Sequence, residues 1–310
     1  MDAASLRADH ASLPWRVSND LAAWYVVAAS SQVREKEVLS ATVAEREIVL
    51  FRSGESVHAL DPHFPHMGAK LCAGKVDGEH LVCPLHGWRI QGDGRVAGLK
   101  TRVRSWPVVE RMGAVLVFNG PEPLCEPPAE QPEFFWTAAQ SGRIDAPWFA
   151  LTANAFDTHH YEAVHKRRLR EPPLIEQPNP WQFSCSYRSQ VTGHHLNDRL
   201  MKWLSGNDIK VTMTCIGGVL FTVSSVLGKR RASLLVGMTP EGDSTRVRLM
   251  VGSTKRGLTA TLSRYLYTSF LKNDLEPMTG IRLNPFTGLS VDATIERFAH
   301  YLDALPEAQW

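Results

Sequence analysis

Two histidines close to a carboxylate form the most chemically suggestive pattern in this chain. His160 and His165 are five residues apart, and Asn154 and Asp157 precede them at three-residue spacing. Two imidazoles and one carboxylate, with coordination positions left open, are the ligand set of oxygen-activating ferrous enzymes. The segment therefore predicts a mononuclear Fe(II) site.

The third iron ligand need not be close in sequence. We expect it to be Asp274, and Glu276 and Asp292 are less favoured candidates. The local pattern predicts a helix from Asn154 to Arg170. Five residues at 3.6 per turn put two side chains about 140° apart, so this helix must widen or bend to bring the two imidazoles together.

A second group of possible metal ligands lies earlier in the chain. Phe64-Pro65-His66 and Cys83-Pro84-Leu85-His86 are each followed by turn-forming residues, which predicts two loops that meet tip to tip. A [2Fe–2S] centre with mixed ligands uses two thiolates and two imidazoles. Phe64 stands where the first of these thiolates would be, and this argues against a cluster.

Three outcomes are open for this second group. His63 or Cys72 replaces the missing ligand, or His66, Cys83 and His86 bind a single zinc ion with one further ligand. In the third outcome, which we favour, no metal binds and the Phe64 ring fills part of the volume of a cluster.

The composition restricts the class of protein. The chain has 310 residues, 44% of them hydrophobic, and a formal net charge of +2, which does not indicate nucleic-acid binding. No apolar stretch approaches the ~20 residues of a membrane helix. The five cysteines are scattered, which favours a reducing compartment over a disulfide framework. We therefore expect a soluble, cytoplasmic protein.

The pattern of apolar residues and turns predicts an α+β protein with two domains. Short strands such as 47–51, 57–60 and 113–118 alternate with glycine turns, and the segment from Gly120 to Glu133 contains five prolines. We predict an N-terminal segment at 1–38, a β domain at 39–120, a proline-rich linker at 121–147 and an iron domain at 148–310. The iron domain should contain strands near 211–215, 219–226, 232–238 and 247–251 and a helix at 292–305.

Both motifs resemble those of one family. The sequence around His66 and Cys83 is similar to the Rieske domain of ring-hydroxylating and steroid-hydroxylating oxygenases. The family's iron motif matches at Asn154, Asp157, His160 and His165. The C-terminal part resembles the ketosteroid hydroxylase and cholesterol 7-desaturase branch. The resemblance implies a degenerate Rieske-like β domain followed by a helix-grip catalytic domain of antiparallel sheet and helices.

The same resemblance implies partners and roles. The iron ligands would be His160, His165 and Asp274, and Asn154 and Asp157 would connect the iron to the cluster of a neighbouring subunit. Electrons would come from NAD(P)H only through a separate reductase or ferredoxin. The substrate would be apolar, and a polycyclic or steroid-like molecule is one option. Trimers or hetero-oligomers are implied as well.

Three functions remain open at this level. In the first, a homologous subunit with an intact cluster supplies electrons to the iron of this chain. In the second, the chain is a noncatalytic structural or regulatory partner of an active oxygenase subunit. In the third, it is a solitary iron or zinc protein with altered chemistry. The complete iron motif favours the first.

Overall fold

A computed structural model describes residues 15–289 and 293–310 of the chain. Within these ranges, eight side chains are outside the description: Gln140, Asn197, Leu258, Thr259, Phe270, Asn273, Asp274 and Glu276. Strands dominate both halves of the described chain, and five helices accompany them. The predicted α+β class is confirmed.

The first half folds into three small antiparallel sheets, each with three strands, in the orders β1-β9-β8, β2-β3-β4 and β5-β6-β7. Their bounds are β1 Trp24–Ala29, β2 Val38–Val43, β3 Arg46–Ser53, β4 Ser56–Leu60, β5 Lys75–Asp77, β6 His80–Val82, β7 Arg89–Ile90, β8 Val108–Arg111 and β9 Ala114–Phe118. The glycine turns of the sequence connect these strands, as the hairpin pattern predicts.

The second half is built on one eight-stranded antiparallel sheet. Its order is β10-β17-β16-β15-β14-β13-β11, and β12 also pairs with β13. The strands are β10 Phe135–Ile144, β11 Arg167–Leu169, β12 Leu174–Asn179, β13 Gln182–Val191, β14 Ile209–Ile216, β15 Leu220–Leu227, β16 Arg230–Glu241 and β17 Ser244–Ser253. The four predicted strands between residues 211 and 251 are confirmed within one to three residues at their ends.

The helices of the second half are α1 Trp148–Asn154, α2 His160–Ala163, α3 Leu196–Ser205, α4 Leu258–Leu275 and α5 Ala293–Asp303. Short 3-10 helices span Ser30–Gln32, Leu71–Ala73 and Glu276–Met278. Phe156, just after α1, packs against Phe298 of α5 and Phe183 of β13, with ring centroids 4.5 and 4.9 Å away. This buried aromatic cluster holds α1 and α5 against one face of the large sheet, called the core face below.

The two halves are joined by direct packing on the opposite face of that sheet. A Cβ atom on Gly237 of β16 would lie only 2.5 Å from the Val26 side chain of β1, so the strands approach as closely as a glycine allows. The C-terminal chain also pairs with the first half, through a bridge between Leu21 and Glu307.

The predicted helix from Asn154 to Arg170 is wrong. The chain leaves α1 at Asn154, turns, forms the short helix α2 and enters β11 at Arg167. Lys166 has a left-handed backbone (φ 52°), which ends the helical turn, and Arg167 to Leu169 then pair with Ser189 to Val191 of β13. His160 and His165 thus come together because the helix ends between them, and not because it widens.

Two strands lie outside the domains predicted from the sequence. Strand β1 precedes residue 39 yet pairs with β9 of the β domain, and β10 lies in the predicted linker yet pairs with β17 of the large sheet. Strand β1 is wholly apolar and β10 mixes polar and apolar residues, but neither composition shows which sheet the strand joins. In the described part of the chain, no helix is long and apolar enough to cross a membrane.

Candidate metal centre

The break between α1 and β11 brings His160 and His165 together. Their ring centroids are 5.1 Å apart with an angle of 67° between the planes, a spacing that lets both imidazoles bind one ion. His165 is 8% exposed, and the His160 side chain is 11% exposed. Both histidines therefore lie in a nearly dry environment, where an ion would have little competition from water.

Asp157 orients the first of these rings. Its Oδ2 atom lies 3.8 Å from Nδ1 of His160, and its Oδ1 atom accepts a hydrogen bond of 2.9 Å from the His159 N–H. Burial acts to raise the pKa of Asp157, but the His160 ring and the His159 N–H outweigh burial and lower it. The carboxylate is thus ionised and faces the Nδ1 side of the His160 ring.

Tyr161 supports the histidine pair from the protein interior and has no counterpart in the sequence prediction. Its ring centroid lies 4.7 Å from that of His160 and 5.0 Å from that of Tyr187, and its hydroxyl donates to the Ala155 carbonyl over 2.8 Å. The aromatic ring and the hydrogen bond together fix the turn that carries Asp157. A buried tyrosine between two histidines gives no distinctive sequence signal, because tyrosine is common in cores.

The other predicted residues of this site have mixed outcomes. Asn154 is the last residue of α1 and lies next to the turn, as the motif requires. The backbone of Asp274 lies near the end of α4, but its side chain and that of Glu276 are outside the described part, as is the whole of Asp292. Asp274 as the third ligand therefore remains a prediction, and so do the roles of Asn154 and Asp157.

The other group of possible ligands, with His66, Cys83 and His86, has a different geometry. The two loops meet tip to tip as predicted, with 4.9 Å between the ring centroids of His66 and His86. Backbone hydrogen bonds close the loops, from Phe64 to Ala69 and from Cys83 to Trp88, each 2.9 Å long. Both imidazoles lie on exposed loop tips.

Phe64 itself is buried behind those tips, and it lines the same surface pocket as His66 and Trp88. Its side chain is 1% exposed, it belongs to the apolar core of the β domain together with Cys83, and its ring lies 5.1 Å from that of Trp88. A cluster with two thiolates does not fit this arrangement, since the position of the first thiolate holds a buried benzyl ring. This burial is what the third outcome, a pocket filled by Phe64, predicts.

The other two outcomes stay predictions. Among the described residues, no three or more His, Cys, Asp or Glu side chains are arranged to hold a metal ion. This covers His160, His165 and Asp157 as well as His66, Cys83 and His86, so it does not distinguish the two groups.

The fold and the two sites together define a class: a small all-β domain with a two-loop ligand site, followed by a helix-grip sheet domain with a histidine pair. Comparison with known proteins identifies the family. Residues 23–110 match the model of the Rieske [2Fe-2S] domain. The chain is 29% identical over 231 residues to a cholesterol 7-desaturase of Bombyx mori, and the match covers 66% of this chain and 51% of the relative.

Further relatives agree with this assignment. The oxygenase component of dicamba O-demethylase from Stenotrophomonas maltophilia is 32% identical over 163 residues, covering 46% of this chain and 47% of that protein. The crystal structure of dicamba monooxygenase bound to dicamba superposes with a TM-score of 0.69 at 19% identity, over 93% of this chain and 98% of the other, which shows a shared fold.

The chain is therefore similar to the Rieske-type oxygenases, and its residues 23–110 match the Rieske domain model. This confirms the family inferred from the motifs. By sequence, the chain spans about half the length of the curated relatives that it matches.

Proposed function

We propose that this chain is the iron-bearing subunit of a Rieske-type oxygenase that receives its electrons from a homologous subunit with an intact cluster. One contrast carries the proposal. The histidine pair of the second domain is buried and oriented by Asp157, whereas Phe64 occupies a ligand position in the first domain. The chain thus retains the histidine pair but lacks one of the four ligands of the cluster that would supply electrons to it.

In this proposal, His160, His165 and Asp274 hold Fe(II). The bound ion would supply the capacity to activate O2. Asp157, whose Oδ2 atom faces Nδ1 of His160 at 3.8 Å, would orient this ring and would carry electrons from a neighbouring subunit. An NAD(P)H-dependent reductase or a ferredoxin would supply electrons to the cluster of the partner subunit.

The surroundings of the histidine pair favour an apolar substrate. Tyr161 contacts Tyr187 and Met213, and these side chains present aromatic and thioether surface on the core face of the sheet. Apolar walls with few polar groups are typical of pockets for hydrophobic small molecules. The steroid and aromatic substrates in the names of the relatives are consistent with this class.

Metal and sulfide analysis of the anaerobically purified chain tests the first half of the proposal. We expect about one iron and no acid-labile sulfide per chain. A count of about three irons and two sulfides would show that another residue completes a Rieske centre. Neither metal nor sulfide would favour the alternative function, a noncatalytic partner subunit.

Reconstitution of activity tests the second part of the proposal, the need for a cluster-bearing partner subunit. The chain is assayed for reductase-dependent oxygen consumption with an apolar substrate panel, alone and after coexpression with a cluster-bearing homologue. We expect turnover only in the coexpressed complex, and we expect Asp157→Asn in this chain to slow it strongly while the complex still assembles. Turnover by the chain alone with only a reductase would contradict the need for a partner cluster.

A further inference from the structure

A cleft of about 440 Å³ lies between the Rieske domain and the large sheet, and the metal centre does not account for it. Its walls come from β1, β2, β10 and β17, with Ser31 and Gln32 at one end. The volume is in the range of small-molecule sites, which frequently form where two domains meet. The described lining contains two arginines, Arg246 and Arg248, and no carboxylate.

The cleft lies on the opposite face of the sheet from the metal centre. Side chains alternate between faces along a strand, so Val247 and Leu249 of β17 point to the core face while Arg246 and Arg248 point away from it. Tyr161, beside the histidine pair, is part of the same buried cluster as Val247 and Leu249. A ligand in the cleft would therefore be separated from the iron pocket by the thickness of the sheet.

Arg248 is a half-buried cation whose hydrogen-bond partners are neutral groups. Its Nη1 atom donates to the Val26 carbonyl over 3.2 Å and to Oγ1 of Thr239 over 3.3 Å. Within the described part of the chain, no carboxylate oxygen lies within 4.0 Å of its guanidinium. Burial, and then repulsion by Arg246, lower the pKa of Arg248 to about 10 and outweigh the attraction of Glu241, so Arg248 stays charged at neutral pH. A half-buried charge without a contacting carboxylate is costly to the fold.

The neighbouring arginines make the charge imbalance larger. Arg246 is paired with Glu241, and directly across the ladder from it lies Arg143, which donates to Oγ of Ser244 over 2.9 Å. Like charges directly opposite each other destabilise a sheet. Among the described residues, these three guanidinium groups have one contacting carboxylate, that of Glu241, and Arg143 is exposed. An added anion would reduce the repulsion that remains.

We propose that this cleft binds a small molecule through an oxyanion, a phosphate or a carboxylate, held by Arg246 and Arg248. Guanidinium groups match the geometry of both oxyanions and form charge-assisted hydrogen bonds to them. The hydroxyls of Ser40 and Ser141, which also line the cleft, are further donors available to the ligand. Because Arg248 bonds to Val26 of β1 and belongs to β17, an anion here would also hold the two domains together.

Calorimetric titration of the full-length chain with inorganic phosphate, and separately with acetate, tests the proposal and distinguishes the two oxyanions. Chloride keeps the ionic strength constant, so that general screening does not contribute. We expect saturable binding of at least one anion and a rise in the melting temperature with its concentration. Arg248→Met and Arg246→Gln should each weaken binding by roughly tenfold or more.

Two control variants locate the effect. Arg188→Gln removes an exposed arginine that pairs with Asp208, and it should bind the anion as the unmodified chain does. His160→Ala alters the metal centre and should also leave anion binding unchanged. If Arg248→Met does not fold, Arg246→Gln still decides, since that side chain is 37% exposed. Binding that survives both arginine substitutions, or no saturable binding of either anion, would overturn the proposal.

Discussion

The two pairs of histidines in this protein have almost the same separation and very different surroundings. The ring centroids of His66 and His86 are 4.9 Å apart, and those of His160 and His165 are 5.1 Å apart. The first pair lies on exposed loop tips in front of a buried phenylalanine. The second pair is buried, and a carboxylate faces one of its rings. The same pair of imidazoles thus occurs once in an exposed and once in a nearly buried setting.

The difference shows what a metal site needs beyond its ligands. Outer groups fix the tautomer and the orientation of each imidazole, and burial controls access by water. At the second pair, Asp157 and Tyr161 supply these functions. At the first pair, Phe64 and Cys83 belong to the apolar core of the β domain, and both imidazoles are exposed.

The largest expected effect comes from removing an imidazole of the second pair. In His160→Ala or His165→Ala, we expect the iron content to fall from about one per chain to below about a tenth, because two remaining ligands do not hold Fe(II). Iron is measured by atomic emission after anaerobic purification. His159→Ala is the matched control, since this exposed neighbour contributes only its backbone N–H to Asp157.

Equal iron loss in all three variants would show that the turn, and not the two imidazoles, governs metal binding. Normal iron content in His160→Ala would contradict the assignment of the metal centre. The equivalent substitution at the first pair, His66→Ala, should leave the iron content unchanged, and this makes the contrast between the pairs directly measurable.

The second prediction restores the missing ligand of the first pair. In Phe64→Cys, reconstitution with iron and sulfide should add about two irons and two sulfides per chain and give the paramagnetic resonance spectrum of a reduced Rieske centre. The reason is that Cys83, His66 and His86 are already present on the two loops. Phe64→Ala, which opens the same space without a thiolate, should gain neither.

Failure of Phe64→Cys to take up a cluster would show that the loops themselves have diverged beyond the lost ligand. A cluster in the unmodified chain would be the opposite result, and it would remove the need for a cluster-bearing partner.

Much of the β structure was predictable, because alternating apolar residues and glycine turns are local signals. Strands β14 to β17 follow the predicted segments closely. The loop placement of His66 and Cys83 was also predictable, since turn formers follow each motif. The proximity of His160 and His165 followed from their spacing and residue types, although the predicted helix between them did not form.

What the sequence did not reveal depends on contacts between distant residues. Strand β11 forms where a helix was expected because it pairs with β13, twenty or more residues further along the chain. Tyr161 and Arg248 also escaped notice, since their importance comes from what packs around them. Arg248 in particular is an ordinary charged residue in the sequence and becomes exceptional only when β1 covers it.

The third prediction measures how firmly the core has closed at the first pair. Phe64→Ala should lower the free energy of unfolding by about 3 kcal/mol, because it leaves a cavity among buried apolar side chains. His66→Ala, two residues away on the exposed tip, should change it by less than about 0.5 kcal/mol. Urea unfolding followed by tryptophan fluorescence gives both values. Similar values for the two variants would mean that Phe64 is not a core residue.

The smallest expected effect concerns the ion pair that holds the start of the Rieske domain. Asp20 receives hydrogen bonds from Arg46 and from Asn119, with a distance of 2.6 Å from Nη2 of Arg46 to Oδ2 and of 2.8 Å from Asn119 to Oδ1. The Arg46 bond is the main reason that the pKa of Asp20 lies below its ordinary range, and the Asn119 bond adds to it while burial opposes both.

Because the folded state lowers this pKa, the ion pair stabilises the protein above the unfolded pKa of about 3.9 and stops doing so as the pH falls through the folded pKa. At pH 7, Asp20→Asn should therefore cost about 1 kcal/mol of unfolding free energy, a value for a partly exposed pair. The cost should shrink below about pH 4. Asp243→Asn, in the exposed turn between β16 and β17, is the control. If the loss of unfolding free energy in Asp20→Asn stays the same at low pH, packing rather than charge stabilises this end of the domain. The first half would then depend on packing at Asp20 as it does at Phe64.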